Sequence, residues 1–205
     1  MRTTILVVAA VAVAMLMAGG VAWAATIQCP NATTPLGNPF CEGTNDPDTM
    51  HGTAQGDGMY GKAGGDTIYG YRGEDGIRGE EGPDKIYGGP GFDTLEASGE
   101  DPDGSSWGQE GASTDYVHGG SARDLLRGGF EQGGVDRLYG EKGDDGIFVA
   151  QRIDFLYSND PGIEVTKEIV DCGPGIDSVS FDKGVDVVKA NCERKYPFKM
   201  RVPGR

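Results

Sequence analysis

The sequence predicts an all-β chain wound as a stack of nine-residue turns, and three observations predict it. Asp48, Asp57, Asp66, Asp75, Asp84 and Asp93 follow one another at intervals of nine. Two places after each stands an apolar residue, in order Met50, Met59, Ile68, Ile77, Ile86 and Leu95. Glycines come ahead of them, most completely in Gly88-Gly89-Pro90-Gly91-Phe92-Asp93-Thr94-Leu95-Glu96. One period shared by three residue types is a property of order rather than composition, and such a repeat governs how the rest of the chain is read. It sets aside the disordered acidic chain that low hydrophobicity and high charge would otherwise suggest. Collagen is excluded because glycine does not fall at every third place.

Residues 88–96 meet the pattern G-G-x-G-x-D-x-U-x at every specified place, and the segment from Gly43 to Glu96 resembles the RTX, or haemolysin-type, calcium-binding repeat family. The resemblance implies a parallel β-roll in which two units make one coil, so that residue i lies under residue i+18. Asp48, Asp66 and Asp84 then stack along one edge and Asp57, Asp75 and Asp93 along the other, with the apolar residues meeting in a core one side chain deep. Carboxylates stacked about 4.8 Å apart repel by roughly 1 kcal/mol in water and about 3.5 kcal/mol at an effective dielectric of 20. The resemblance implies Ca2+ between the coils, which reverses that sign by drawing on aspartate oxygens and glycine-turn carbonyls. Calcium accepts a flexible shell of oxygens where magnesium demands a tight octahedron.

The metal candidates carried over by the motif are Asp48, Asp57, Asp66, Asp75, Asp84 and Asp93, with Gly61, Gly64, Gly70, Gly73, Gly79, Gly82, Gly88 and Gly91 forming the turns. Asp46 and Gln55 replace the glycine before Asp48 and Asp57, which weakens those two turns. Related units recur at Asp115 with Val117, Asp124 with Leu126, Asp136 with Leu138, Asp145 with Ile147 and Asp154 with Leu156. Asp115, Asp124, Asp136 and Asp145 join the candidates; Ala122 weakens the turn before Asp124, and Gly143 supports that of Asp145. A final pair runs from Cys172 to Val179 and from Gly184 to Val188.

The expected organisation is a signal peptide over 1–24, an N-terminal cap with a disulfide over 25–42 and a regular roll over 43–96. An inserted loop over 97–114 and degenerate repeats over 115–157 follow. Further repeats with a disulfide-bonded cap occupy 158–192, and a basic tail ends the chain at 193–205. Ile5 to Met17 are almost wholly apolar, and Ala22-Trp23-Ala24 fits a small-x-small cleavage site before Ala25. The apolar stretch falls short of the roughly 20 residues that span a bilayer. The expectation is a secreted bacterial protein using a Sec-type signal, with no stable membrane insertion after cleavage. Cys29, Cys41, Cys172 and Cys192 suit two local disulfides at the two ends. A zinc site would want closer Cys/His spacing than this chain has.

The 205 residues carry a formal charge of −14, which removal of Arg2 with the leader makes −15. A surface of that sign repels phosphate backbones and anionic lipid, so nucleic acid is not an expected partner. No enzyme is expected: there is no G-x-S-x-G or H-E-x-x-H arrangement, and His51 and His118 each end a repeat unit, where a stacking role suits them. An EF-hand at Asp101-Pro102-Asp103-Gly104-Ser105 fails, since Ser106 and Ala112 stand where glycine and the closing acid are required. The alternative role is adhesion to a cell-surface or matrix polymer. It would use the loop from Ala97 to Ser113 with Trp107, or a face lined by Tyr60, Tyr69 and Tyr87. Cross-coil stacking is the simpler expectation for those tyrosines.

Overall fold

The computed structural model describes residues 24–29, 40–97, 114–128, 135–149 and 167–198. Residues 1–23 of the leader and the unit of Asp154 lie outside them. Successive strands alternate between two parallel sheets. The first sheet holds β1 (Ala25–Gln28), β3 (Asp48–His51), β5 (Thr67–Tyr69), β7 (Lys85–Pro90), β9 (Tyr116–Ser121), β11 (Arg137–Lys142), β13 (Ile169–Asp171) and β15 (Val187–Val188). The second holds β2 (Phe40–Glu42), β4 (Gly58–Ala63), β6 (Gly76–Glu81), β8 (Thr94–Glu96), β10 (Leu125–Arg127), β12 (Gly146–Phe148), β14 (Ser178–Asp182) and β16 (Arg194–Phe198). Each strand pairs in parallel with the one two places on, which is the stacking of a β-roll.

The register is the one the period demands: Met50 pairs with Ile68 and Ile68 with Ile86 in one sheet, Met59 with Ile77 and Ile77 with Leu95 in the other. Because side chains alternate along a strand, these residues all face inward. They are continued by Val117, Leu138 and Val170, and by Leu126, Ile147 and Val179, every one of them buried. The core is a single file from each sheet, closed at its ends by Cys29–Cys41 and Cys172–Cys192.

Coil spacing is 18 where the repeat is regular and becomes 31, 21 and 32 further on. The extra residues of these three coils fall between a strand of the second sheet and the next aspartate slot of the first, after β8, β10 and β12; in the first coil, where Ala25 pairs with Asp48 at a spacing of 23, they fall between β1 and β2. Two expected boundaries shift. Ala97 belongs to the roll, fully buried and donating its N–H to the Arg127 carbonyl, and Thr114 likewise accepts from the Val135 amide. Residues Arg194–Phe198 of the expected tail form a strand paired with β14.

The outer face of the first sheet carries one file of stacked rings: His51, Tyr69, Tyr87, His118 and Tyr139, with centroids 4.6 to 5.4 Å apart. Tyr60 is not among them. A nine-residue step changes sheet, so Tyr60 lies on the second sheet beside Phe40 and under the Arg78 guanidinium.

Candidate metal centre

The aspartates form two columns, one at each edge of the roll, held by a single repeated hydrogen bond. The backbone N–H of each aspartate donates to Oδ1 of the aspartate one coil further on. One column runs Asp48 to Asp66 and Asp66 to Asp84, each at 2.8 Å, then to Asp115 at 2.7 Å and Asp136 at 3.1 Å. The other runs from Asp57 through Asp75, Asp93, Asp124 and Asp145 to Asp177, at 2.8 to 3.0 Å. All of these carboxylates are buried. Each aspartate carried over as a metal candidate therefore lies in one of the columns, while Asp154 lies outside the described residues. Two members were not legible from the repeat: Glu168 takes the slot below Asp136, and Glu193 accepts from the Asp177 amide.

The second oxygen is the informative one. Oδ2 of Asp66, Asp75, Asp93, Asp124, Asp145 and Asp177 is buried and has no hydrogen-bond partner. An unsatisfied buried carboxylate oxygen is costly, so a ligand or a proton must offset it. Against each such oxygen except that of Asp177 lies the first glycine of its own unit. A Cβ on Gly70 would stand 2.5 Å from Asp75 Oδ2 and 2.7 Å from the Gly88 carbonyl oxygen of the next coil. At Gly61 the corresponding approaches, to Asp66 Oδ2 and the Gly79 carbonyl, are both 2.5 Å. The hydrogen of glycine thus leaves a cradle into which a carboxylate and a carbonyl oxygen from successive coils converge. Gly79, Gly88, Gly119 and Gly140 repeat it, with carbonyls from Ala97, Gly119, Gly140 and Cys172.

Gly64 and Gly82 do different work. Their φ values of 135° and 112° belong to the left-handed side, and a Cβ on Gly82 would drive into the Gly64 backbone below it. Gly73 and Gly91 share that stacked turn on the other edge. The second place of the unit is also left-handed, at Lys62, Tyr71, Glu80 and Glu141 (φ 69° to 78°), which no glycine marks in the sequence.

The donor set is hard oxygen throughout, which suits calcium. Among the described residues no group of three or more His, Cys, Asp or Glu side chains is placed to hold a metal ion. A cation here must draw on main-chain carbonyls as well as carboxylates, as the cradles provide. The model of the RTX calcium-binding nonapeptide repeat matches the chain in four copies, at residues 42–77, 60–95, 78–101 and 111–147. The chain belongs to the RTX calcium-binding repeat family. No curated protein matches it. RTX repeats bind Ca2+, and the cradles are where this RTX chain offers unsatisfied oxygen.

Without a cation the buried carboxyls resist ionising. Burial is the largest cause in each case: it pushes Asp66, Asp75 and Asp124 up to about 6, and Asp93 and Asp145 up to about 7. The neighbouring column carboxylate adds to the rise at Asp66, Asp75, Asp93 and Asp145.

Six places depart from the cradle. In the first two RTX units Thr44 and Thr53 stand at the second position. The Thr44 amide donates to Asp48 Oδ2 at 2.6 Å and its hydroxyl at 3.0 Å; Thr53 does the same for Asp57 at 2.6 and 3.1 Å. Those oxygens are satisfied within the protein. Beyond the point where inserts leave, Ala97 and Val149 bring buried side chains to the first-glycine slots of Asp115 and Glu168. On the opposite edge Cys172 fills that slot beside Asp177, and Cys29 occupies the matching place in the first coil, its N–H donating to the His51 carbonyl. The file of glycine cradles on this edge is therefore bounded at both ends by a cystine.

Proposed function

We propose that this chain is a secreted calcium-binding protein whose roll is completed by Ca2+ at six cradles. Two lie on the first edge, at Asp66 with the Gly79 carbonyl and Asp84 with the Ala97 carbonyl. Four lie on the second, at Asp75, Asp93, Asp124 and Asp145 with the carbonyls of Gly88, Gly119, Gly140 and Cys172. Asp48 and Asp57, held by threonines, serve as cation-free end turns, and Asp115 and Asp136 are packed by the coils from which inserts leave. When bound, Ca2+ supplies positive charge where two coils would otherwise repel. The protein supplies the rest: the Oδ1 ladder fixes each carboxylate, the glycine keeps the space open, and the flanking coil aims the carbonyl.

The observation that carries this reading is the pairing of a buried, partnerless Oδ2 with a neighbouring-coil carbonyl across a glycine, at Asp66, Asp75, Asp93, Asp124 and Asp145. Secretion is supported by the apolar leader with its Ala22-Trp23-Ala24 site, and by two disulfides, which persist in oxidising compartments. Folding follows binding because each coil completes its neighbour's site. The test is circular dichroism of the mature chain titrated with calcium and then magnesium. Sheet signal should appear cooperatively with calcium alone; full structure in chelator at neutral pH would count against the reading. The adhesive alternative gains no support from the aromatic file, whose ring faces are occupied by one another.

A further inference from the structure

The first-edge column has an unusual head. Ala25 pairs with Asp48 in the register that Asp48 holds over Asp66, so Ala25 occupies the next aspartate slot but brings no carboxylate. Its backbone nitrogen lies 3.2 Å from Asp48 Oδ1, the place that the amides of Asp48, Asp66, Asp84 and Asp115 take against the carboxylates one coil further on. Asp48 is buried, and its other oxygen is already held by Thr44. Ala25 is also the first residue of β1, while Ala24 is exposed, and it is the residue that the cleavage pattern places at the start of the mature chain.

We propose that removal of the leader between Ala24 and Ala25 creates an α-ammonium that caps the aspartate column by pairing with Asp48. This rests on the leader reading given above. In the precursor the same nitrogen is a neutral peptide N–H; after cleavage it is a cation at the head of a file of buried negative charge. A fixed ammonium there does what Ca2+ does between the inner coils, with no metal needed at a coil that has no partner above it. The Cys29–Cys41 disulfide, four residues on, ties β1 to the second sheet and holds the nitrogen in place. Processing and folding are thereby linked, since the chain gains its end charge only once the leader is gone.

The experiment separates the pairing from the leader reading. The mature chain, made to start at Ala25, is compared with the same chain Nα-acetylated, which keeps the N–H donor and removes the charge. Both are measured with Asp48 and with Asp48→Asn, by denaturant unfolding at one fixed calcium concentration. Acetylation should lower the folding equilibrium constant by roughly threefold to thirtyfold with Asp48, and by less than about twofold with Asp48→Asn. An equal loss in both backgrounds, or none with Asp48, overturns the pairing. Should Asp48→Asn not fold, the rate at which an acid anhydride labels the Ala25 amine gives the second readout. Labelling at neutral pH should be at least about tenfold slower in the folded chain than in the unfolded one, because a paired ammonium titrates above the ordinary α-amino range of about 7.7 to 8.0; equal rates overturn the proposal. N-terminal sequencing of the secreted protein tests cleavage alone: a start other than Ala25 removes the leader reading, whatever the acetylation series shows.

Discussion

Replacing Gly70 by alanine puts the cradle itself to the test. Gly70 has no positive φ, so alanine is allowed by the backbone and only space is at issue. The added methyl would stand 2.5 Å from Asp75 Oδ2 and 2.7 Å from the Gly88 carbonyl, well inside contact distance, and neither can retreat without disturbing the next coil. Overpacking of this kind costs about 1 to 3 kcal/mol. The same methyl denies the cation both oxygens. For a site with Kd of about 10⁻⁴ to 10⁻³ M, loss of binding in 10 mM calcium removes a further 1.4 to 2.7 kcal/mol or so. Gly70→Ala should therefore destabilise by about 1 to 3 kcal/mol in chelator under conditions where the roll persists, rising to about 2 to 6 kcal/mol in calcium. The control is Gly76→Ala, where a Cβ meets nothing within 4 Å; there alanine should be neutral or stabilise by up to about 1 kcal/mol. The assay is thermal or urea unfolding at several calcium concentrations, together with calcium stoichiometry by equilibrium dialysis. If Gly70→Ala binds as many ions as the parent and shows the same calcium dependence of Tm, the cradle is not where the cation sits.

The buried aspartates give the metal-free roll an inverted pH dependence. Their folded pKa values lie near 6 and 7, above the unfolded value of about 3.9, so their stabilising contribution is complete below pH 4 or so and is lost as pH rises through 6 to 7. In chelator, sheet content should be greater at pH 5 than at pH 8, and the reverse order would contradict the burial argument. Asp75→Asn should remove one bound calcium, whereas Asp57→Asn, whose carboxylate is held by Thr53, should cost stability and leave the stoichiometry unchanged; dialysis of the two variants decides. Replacing Cys172 and Cys192 together by serine releases a 20-residue loop and should cost about 3 kcal/mol in urea unfolding.

The columns were legible because a period of nine fixes both which residues face inward and which reach an edge. Met50, Ile68 and Ile86, and the repeat aspartates among the described residues, sit where that period puts them. The disulfides were legible for another reason, since each pair closes a short local loop. What the period could not show is substitution by shape. Glu168 and Glu193 reach the column with one more methylene after the spacing has changed, so no interval pointed to them. Thr44 and Thr53 look like ordinary variable positions, yet their hydroxyls and amides change what the neighbouring aspartate can do. Tyr60 was grouped with Tyr69 and Tyr87 by its place in the unit, whereas the coil holds two units and sends alternate ones to opposite faces.

The placement of the inserts gives the two margins of the roll opposite tolerances. Lengthening the chain between Ala97 and Thr114, Gly128 and Val135, or Val149 and Lys167 adds loop at a cost near 0.6 kcal/mol for each doubling, and the winding resumes in step at the following carboxylate. One extra residue between Gly70 and Asp75 has no such outlet: it would slip the strand by one place and turn Ile77 toward solvent. Between Asp48 and Asp177 one margin is thus free to vary in length and bear new surface, while the other behaves as a measured scale whose graduations are the ion sites.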